Sequence, residues 1–293
     1  MFFDEVYVEP LYRPPSEALS LIIQITVGCS HNKCTFCGMY KGKNFRVKSM
    51  ERIKKEIDFF RENVRYAERI FLADGDALIL SFDKLKEIIS YINEKFPERT
   101  RISMYASPKA IQLKTVEELR ALKEMGVTLL YLGVESGSDK VLKDIQKGVT
   151  KSEMIEVGKK IKKAGIGLSV TAIAGIAEEE NSLEHAVETA QVISQINPDY
   201  FSILSLILEE GTELFEKCME GKFIPLTNIE ILKEIKNIIK NIDVKEECIF
   251  RSNHASNYVA LKGVLPRDKE NLINTIDIAL KNRNMKSEEF RRL

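Results

Sequence analysis

Short apolar runs alternate with longer amphipathic stretches over most of this chain, and that alternation limits its fold more than any other feature. The apolar runs are rich in β-branched and large apolar residues, which is typical of strands. They predict strands at 21–27, 70–73, 101–105, 129–134, 168–174 and 200–206. Alternation of strands with helical stretches is the sequence sign of repeated βα units.

The stretches between these strands carry helix start and stop signals. Ser81 precedes a long amphipathic segment, and capping boxes are predicted where Thr115 is followed by Glu118 and Thr150 by Glu153. Gly126 and Gly165 stand where the helices should end. The segments that connect the strands are therefore predicted to be helices.

Apolar strands joined by helical crossovers predict a parallel sheet covered by helices. The fold class is α/β, and six units predict a partial (β/α)6 TIM-like barrel over residues 20–214. An N-terminal extension would occupy 1–19, and a helical and loop C-terminal extension 215–293. Within the latter we expect a loop at 250–266 and a last helix at 269–281. In such folds the functional groups gather at the carboxyl ends of the strands.

Composition limits the partners and the location. Lys plus Arg and Asp plus Glu number 44 each, so overall charge favours neither nucleic acid nor a membrane surface. No signal peptide is recognised, and no apolar run approaches the ~20 residues that a membrane-spanning helix needs. These features predict a cytoplasmic protein, in which cysteines stay reduced. The five cysteines are then better interpreted as metal ligands, reactive groups or core residues than as disulfides.

Three cysteines cluster directly after the first predicted strand, in the order Cys29-x4-Cys34-x2-Cys37. Three thiolates suit a 4Fe-4S cluster and would leave one iron open to a substrate or cofactor. Structural zinc is the competing interpretation, since His31 would complete four suitable ligands, although closed zinc sites usually join two separated pairs. Buried core thiols are a third interpretation, disfavoured because the loop is polar.

This cysteine segment resembles that of the radical S-adenosylmethionine (SAM) superfamily, and the resemblance extends over 20–214. The family commonly spaces its cysteines x3 then x2 with an aromatic before the last. Here Phe36 is the aromatic, and the first gap carries one extra residue. After the second predicted strand, Asp74, Gly75 and Asp76 stand where the family has Gly-Gly-Glu. The resemblance implies that this turn receives the methionine amino group of SAM.

Later strand ends resemble the branch that contains the oxygen-independent porphyrinogen oxidases and the methylthiotransferases. After the fourth predicted strand the resemblance places Glu135 and Ser136 near the ribose and methionine end of SAM. In the fifth, Ile173 and Gly175 match a pattern whose backbone packs against the adenine, with Thr171 replacing its first glycine.

The resemblance implies an anaerobic, iron-binding radical enzyme that uses a 4Fe-4S cluster and SAM. The reduced cluster would cleave SAM to a 5′-deoxyadenosyl radical, which abstracts hydrogen from a small or medium-sized substrate. An electron donor such as flavodoxin or ferredoxin is the implied partner. Cys218 and Cys248 are too few for a second all-cysteine cluster. A zinc-stabilised α/β protein and a non-catalytic iron–sulfur carrier or sensor remain the alternatives.

The substrate contacts are expected in the C-terminal extension, which we expect to close over the barrel. The segment 250–266 is unusually rich in polar and basic side chains. Arg251 would serve there as a fork for a carboxylate or phosphate, and His254 as an acid or base. Loops rich in Ser and Asn are also ordinary hydrogen-bonded turns, which is the competing interpretation.

Overall fold

The structure is a computed structural model that describes residues 6–291. The chain divides into two compact units. Unit 1 comprises Met1–Asn32, Met39–Leu132 and Lys160–Leu168, and unit 2 comprises Lys33–Gly38, Gly133–Lys159 and Ser169–Leu293. The main sheet has eight strands and is mostly parallel.

The elements follow one another in the alternation that the sequence predicts. The strands are β1 (Leu21–Gln24), β2 (Thr26–Val27), β3 (Arg46–Val47), β4 (Arg69–Ala73), β5 (Arg101–Tyr105), β6 (Val127–Glu135), β7 (Gly167–Ala174), β8 (Tyr200–Ser205), β9 (Cys248–Ser252) and β10 (Leu261–Leu265). The helices are α1 (Met50–Asn63), α2 (Phe82–Lys95), α3 (Pro108–Gln112), α4 (Val116–Glu124), α5 (Asp139–Asp144), α6 (Lys151–Ala164), α7 (Glu178–Ile196), α8 (Glu213–Met219), α9 (Asn228–Asn241) and α10 (Lys269–Asn282).

Unit 1 is built on the parallel strands β1, β4, β5 and the first part of β6. Leu21 lies opposite Ile70, and Arg69 opposite Arg101, so the three strands start level with one another. Each parallel step needs a crossover, and α1 and α2 provide two of them. β2 and β3 form a separate antiparallel pair.

The helix boundaries in both units follow the predicted signals. The Ser81 side chain accepts a hydrogen bond from the Lys84 amide and caps α2. The capping boxes at the starts of α4 and α6 are both present. Gly126 and Gly165 adopt φ values of 107° and 74° after the ends of α4 and α6, a conformation that favours glycine.

Residues 6–20 pack onto unit 1 through buried polar contacts that the sequence did not reveal. The Tyr7 hydroxyl donates to the Ile22 carbonyl at 2.8 Å, and the Val8 amide donates to the Gln24 side chain at 2.9 Å. Glu17 is fully buried and accepts from Arg101 and from Tyr131. This segment is therefore held to the sheet of unit 1 by charge-assisted and neutral hydrogen bonds.

Unit 2 contains β7 to β10 and three helices of the C-terminal extension. β7, β8 and β9 are parallel to one another in turn, and β10 pairs antiparallel with β9. Helix α7 packs against α9, and α9 against α10.

The prediction of a loop over 250–266 is wrong in part, because β9 and β10 occupy its two ends. Arg251 and Lys262 interrupt the apolar pattern, and Gly263 has low strand propensity. Pairing with β8 overrides that weak local preference and adds a hairpin to the sheet. The helices of the extension are confirmed.

The α/β fold class and the TIM-like βα alternation are confirmed. Five of the six predicted strands lie within two residues of their expected bounds, whereas the first, 21–27, is divided into β1 and β2. The boundaries 1–19, 20–214 and 215–293 stay predictions, and residues 1–5 and 292–293 lie outside the described part. Within residues 6–291 no helix is both long and apolar enough to cross a membrane.

Candidate cofactor site

The first cysteine lies in unit 1, in a turn that the backbone after β4 holds in place. The Gly75 amide donates to the Gly28 carbonyl at 3.1 Å, which brings the two turns together. A Cβ on Gly75 would stand 2.5 Å from the Tyr40 ring and 3.1 Å from the Cβ of Cys29. A glycine is therefore required beside Cys29, for close packing rather than for unusual backbone angles.

Asp74 is fully buried in unit 1, and one of its carboxylate oxygens is saturated by the protein. Oδ2 accepts from Gln24 at 3.1 Å, from the Gly28 amide at 3.0 Å and from Lys43 at 2.8 Å. Within the described residues Oδ1 has no hydrogen-bond partner. One oxygen thus braces the turn before Cys29, and the other is a buried acceptor without a donor.

Asp76 joins the cysteine turn to helix α3. Its carboxylate accepts from the Ser107 amide at 2.9 Å and the Ser107 hydroxyl at 2.7 Å, and also from Ser30. Burial raises the pKa of Asp76, and these donors oppose the shift. The carboxylate holds Ser30, the neighbour of Cys29, to the start of α3.

The other two cysteines lie in unit 2, in the segment 33–38. Three hydrogen bonds to backbone groups of this segment hold it in place. The Thr35 amide donates to Ile145 at 3.0 Å, and the Leu214 amide donates to the Thr35 carbonyl at 2.9 Å. The Gly38 amide donates to the Glu209 carboxylate at 2.8 Å. Glu209 was missed by the sequence reasoning, since its partner lies 171 residues earlier in the chain.

Phe36 lies between these two cysteines and packs into an apolar cluster at the ends of β7 and β8. The cluster comprises Val141, Ile145, Ile173, Ile176, Ala177, Leu206, Leu214 and Phe223, with Phe36, Leu208 and Cys218 packed against it. Unit 2 therefore brings together two residues, Phe36 and Ile173, that the resemblance assigns to SAM.

Glu135 ends β6 in a left-handed conformation, with φ of 62°, and is 9% exposed. Its carboxylate forms an ion pair with Lys147 at 2.8 Å. A Cβ on Gly133 would lie 2.0 Å from Glu135 Oε1, so the glycine makes room for this carboxylate. The sequence indicated that Glu135 needs a partner, but it did not identify Lys147.

Ser136 and Gly175 are hydrogen-bonded inside unit 2. The Ser136 hydroxyl lies 2.8 Å from His185 Nδ1, and the Gly175 amide donates to Glu234 at 2.7 Å. Both partners are buried, and burial lowers the pKa of His185 while Glu234 opposes the shift. The sequence offered no signal for either partner beyond a lone His and a lone Glu on helices.

Arg251 and His254 lie in β9 and in the turn after it. Arg251 is exposed, and its guanidinium donates to the Phe250 carbonyl at 2.8 Å. His254 is half-buried, and its Nδ1 accepts from the Ser256 amide at 3.2 Å. Burial and the Lys286 charge lower the pKa of His254. A neutral imidazole near pH 7 suits the predicted role as a base.

All five cysteines are present as thiols. Across residues 6–291 no group of three or more His, Cys, Asp and Glu side chains is arranged as a metal site. Ligation by Cys29, Cys34 and Cys37 therefore stays a prediction, which rests on the soft thiol donors and their order in the chain.

Comparison with known proteins relates the chain to two relatives from Methanocaldococcus jannaschii. An uncharacterized protein is 23% identical over 247 residues, which cover 81% of this chain and 75% of that protein. A putative methylthiotransferase is 27% identical over 168 residues, which cover 55% of this chain and 36% of that protein. The chain thus spans about a third of the second relative's length.

Two solved structures share the fold. Methylornithine synthase has a TM-score of 0.53 at 16% identity, covering 91% of this chain and 82% of that one. Coproporphyrinogen III oxidase of Escherichia coli, described as a radical SAM enzyme, has a TM-score of 0.54 at 16% identity, covering 75% and 52%.

The family comparison covers more than half of the chain. The model of the Radical SAM superfamily matches residues 23–190. That range contains the cysteine segment and the ends of β4, β6 and β7, where the sequence resemblance lay. The chain belongs to the radical SAM superfamily, whose enzymes use a 4Fe-4S cluster and S-adenosylmethionine.

Proposed function

We propose that Cys29, Cys34 and Cys37 hold the 4Fe-4S cluster and that the chain is a radical SAM enzyme acting on a small or medium-sized substrate. When bound and reduced, the cluster supplies an electron to the sulfonium of SAM, which yields methionine and a 5′-deoxyadenosyl radical that abstracts hydrogen from the substrate. The protein's part is to bind, orient and shield these groups.

The observation that carries this proposal is the position of Phe36 in unit 2. The residue between two of the proposed ligands shares an apolar cluster with Ile173 and Leu206, which lie at two strand ends. An apolar surface beside a thiol segment suits a ligand with a flat aromatic ring and a soft sulfonium. Glu135 and Lys147, charged and adjacent, suit the ribose hydroxyls and the zwitterionic methionine end.

The residues of unit 1 also fit the cofactors. Asp74 Oδ1 is a buried acceptor without a donor among the described residues, and an ammonium group is the donor it would best accept. Gly75 keeps side-chain atoms away from Cys29, which leaves that thiol half-exposed. We therefore propose that Asp74 binds the amino group of SAM and that Gly75 leaves room beside Cys29. Asp76 would hold the turn that carries this cysteine.

Substrate contacts are proposed for the C-terminal extension, with Arg251 binding an anionic group and His254 acting as acid or base. Arg251 is exposed, and one of its nitrogens donates to the carbonyls of Phe250 and Gly263, so other donors of its fork are available to a ligand. A flavodoxin or ferredoxin is the proposed source of electrons.

Anaerobic reconstitution tests the cofactor chemistry. The wild type is expected to take up about four irons per chain, to absorb broadly near ~400 nm, and to form 5′-deoxyadenosine from SAM when reduced with dithionite. Cys34→Ala should lose iron and this activity, whereas Cys218→Ala should keep both, since Cys218 packs against the apolar cluster. A colourless protein with one tight zinc would overturn the proposal and support the zinc alternative.

A second variant separates substrate chemistry from cofactor chemistry. His254→Ala is expected to retain iron and the substrate-independent rate of 5′-deoxyadenosine formation. Loss of iron from His254→Ala would show that the assignment of this turn to substrate is wrong. An iron-loaded wild type that forms no 5′-deoxyadenosine under strictly anaerobic reduction would instead support an electron carrier or sensor.

A further inference from the structure

Two buried side chains of unit 2, His185 on α7 and Glu234 on α9, have no place in the chemistry described above. His185 has an exposure of 0%, and Glu234 of 1%. Burying an imidazole or a carboxylate is costly unless hydrogen bonds replace the lost water. The groups that these two side chains contact therefore indicate why they are present.

His185 binds the turn that follows β6. Its Nδ1 lies 2.8 Å from the Ser136 hydroxyl, and the same hydroxyl accepts from the Ser138 amide at 3.0 Å. One turn further along α7, the Thr189 hydroxyl accepts from the Gly137 amide at 2.9 Å. Ser136 and Gly137 are thus tied to α7 at two consecutive positions, and the Ser136 hydroxyl also holds the Ser138 amide.

Gly137 shows how closely this turn approaches the helix. A Cβ at that position would lie 2.2 Å from the Glu188 carbonyl oxygen, which belongs to the backbone of α7. No side chain fits there without displacing the helix. The turn after β6 is therefore in direct backbone contact with α7.

Glu234 binds the turn that follows β7. Its Oε1 accepts from the Gly175 amide at 2.7 Å, and its Oε2 accepts from the Ser182 hydroxyl. Gly175 has φ of 86°, a left-handed backbone conformation that favours glycine. A carboxylate that accepts a backbone amide and a hydroxyl is a strong, well-oriented anchor.

The side chains of His185 and Glu234 lie next to each other. Nε2 of His185 lies 3.6 Å from Oε1 of Glu234, the oxygen that also accepts from Gly175. Within the described residues His185 Nε2 has no hydrogen-bond partner, so the two side chains are close neighbours without a hydrogen bond between them. The side chains that hold the turns after β6 and β7 therefore lie side by side.

We propose that His185 and Glu234 are positioning residues that hold the turns after β6 and β7 in the arrangement that binds SAM. This inference rests on the proposed function and on the sequence resemblance, which assigns Ser136 and Gly175 to that cofactor. Glu234 lies outside the residues 23–190 that match the family model. The cofactor turns of this chain are consequently braced by a helix of the C-terminal extension.

The test compares SAM affinity with iron content in the reconstituted full-length protein. Glu234→Ala removes the acceptor of the Gly175 amide and should raise the Kd for SAM about tenfold, equivalent to roughly 1.4 kcal/mol. Iron content and the rate at saturating SAM should stay within about twofold of wild type. Glu234→Gln keeps an acceptor oxygen and should restore most of the affinity.

Two further variants complete the design. Lys233→Ala, an exposed neighbour on the same helix, is the matched control and should leave the Kd unchanged. His185→Leu removes the contact with the Ser136 hydroxyl without burying a charge, so it keeps the test valid if Glu234→Ala does not fold. It should also raise the Kd with iron retained.

The inference is overturned if folded Glu234→Ala and His185→Leu bind SAM as tightly as the wild type, even where their melting temperatures fall. It is also overturned if Glu234→Gln is as impaired as Glu234→Ala, since a positioning role requires only the acceptor. A wild type that binds iron but no SAM would instead refute the proposed function. That outcome is seen in the wild type alone, so it is distinguishable from a failure of the variants.

Discussion

The ion pair between Lys43 and Asp74 allows a quantitative prediction about the first cysteine turn. The Lys43 ammonium lies 2.8 Å from Asp74 Oδ2, and the two side chains are 5% and 0% exposed. The ammonium also donates to the carbonyls of Val8 and Pro10. Three acceptors therefore satisfy its three protons, which is the condition under which a buried charge is tolerated.

Lys43→Met keeps most of the volume of the side chain but removes its charge. The Asp74 carboxylate would then be buried with only the Gln24 side chain and the Gly28 amide as donors. Breaking a buried pair in this way costs about 3–5 kcal/mol, which corresponds to a fall in melting temperature of roughly 6–20 °C. Because Gly28 precedes Cys29, iron content should fall as well.

The matched control is Lys55→Met. Lys55 pairs with Glu51 on the surface of α1, with side-chain exposures of 65% and 79%. Such an exposed i,i+4 pair contributes little to stability, so the melting temperature should shift by no more than about 2 °C. The same chemical substitution is thereby compared at a buried and at an exposed position.

Circular dichroism melting of the wild type, the two single variants Lys43→Met and Asp74→Asn, and the double variant measures the coupling. The double variant leaves no unpaired buried charge, so it should be less destabilised than the sum of the singles by at least about 2 kcal/mol. Additive effects, or a Lys43→Met variant as stable as Lys55→Met, would refute the assignment of a buried, structurally essential pair.

Three further predictions follow from other contacts. Gly75→Ala should lose iron and about 1–3 kcal/mol of stability, measured by iron assay and thermal melting, because its methyl group would stand 2.5 Å from the Tyr40 ring; full iron loading would contradict it. Burial lowers the pKa of His185 below 6.5, so on acidification the unfolded chain gains a proton before the folded one, and stability should fall by up to about 1 kcal/mol between pH 6.5 and 5.5. Urea titrations should show this loss in the wild type and a smaller one in His185→Gln. Arg291 donates to the Ser256 carbonyl at 2.6 Å and stacks over the Tyr258 ring at 4.2 Å. Arg291→Ala should therefore lower the free energy of unfolding by about 2–3 kcal/mol and speed amide hydrogen exchange in residues 253–260.

Local signals predicted the elements well. The strand β5 has the bounds that its apolar content indicated, and the capping boxes before α4 and α6 are formed by residues three apart. Information of this kind lies within a few residues of the structure that it specifies. The hairpin of β9 and β10 was missed because its stability comes from pairing with β8, about 50 residues earlier.

For the candidate site, local motifs were predictable from the sequence, whereas contacts between distant residues were not. The spacing of three cysteines, the aromatic Phe36 and the turn at Asp74 pointed to the family, which the match over residues 23–190 shows. The partners of the charged groups were not predictable. Lys43, Lys147 and Glu234 lie 31, 12 and 59 residues from the groups that they contact.

The sequence by itself determined the βα alternation of the first six predicted strands and the chemistry of the cofactors, since both depend on residue types at short spacings. Only the tertiary structure decided how each carboxylate is used. Asp74 is paired with Lys43, Glu135 with Lys147, and Glu234 holds a backbone amide. A buried charge acquires its role from the groups that folding places around it, because low polarity makes each partner essential.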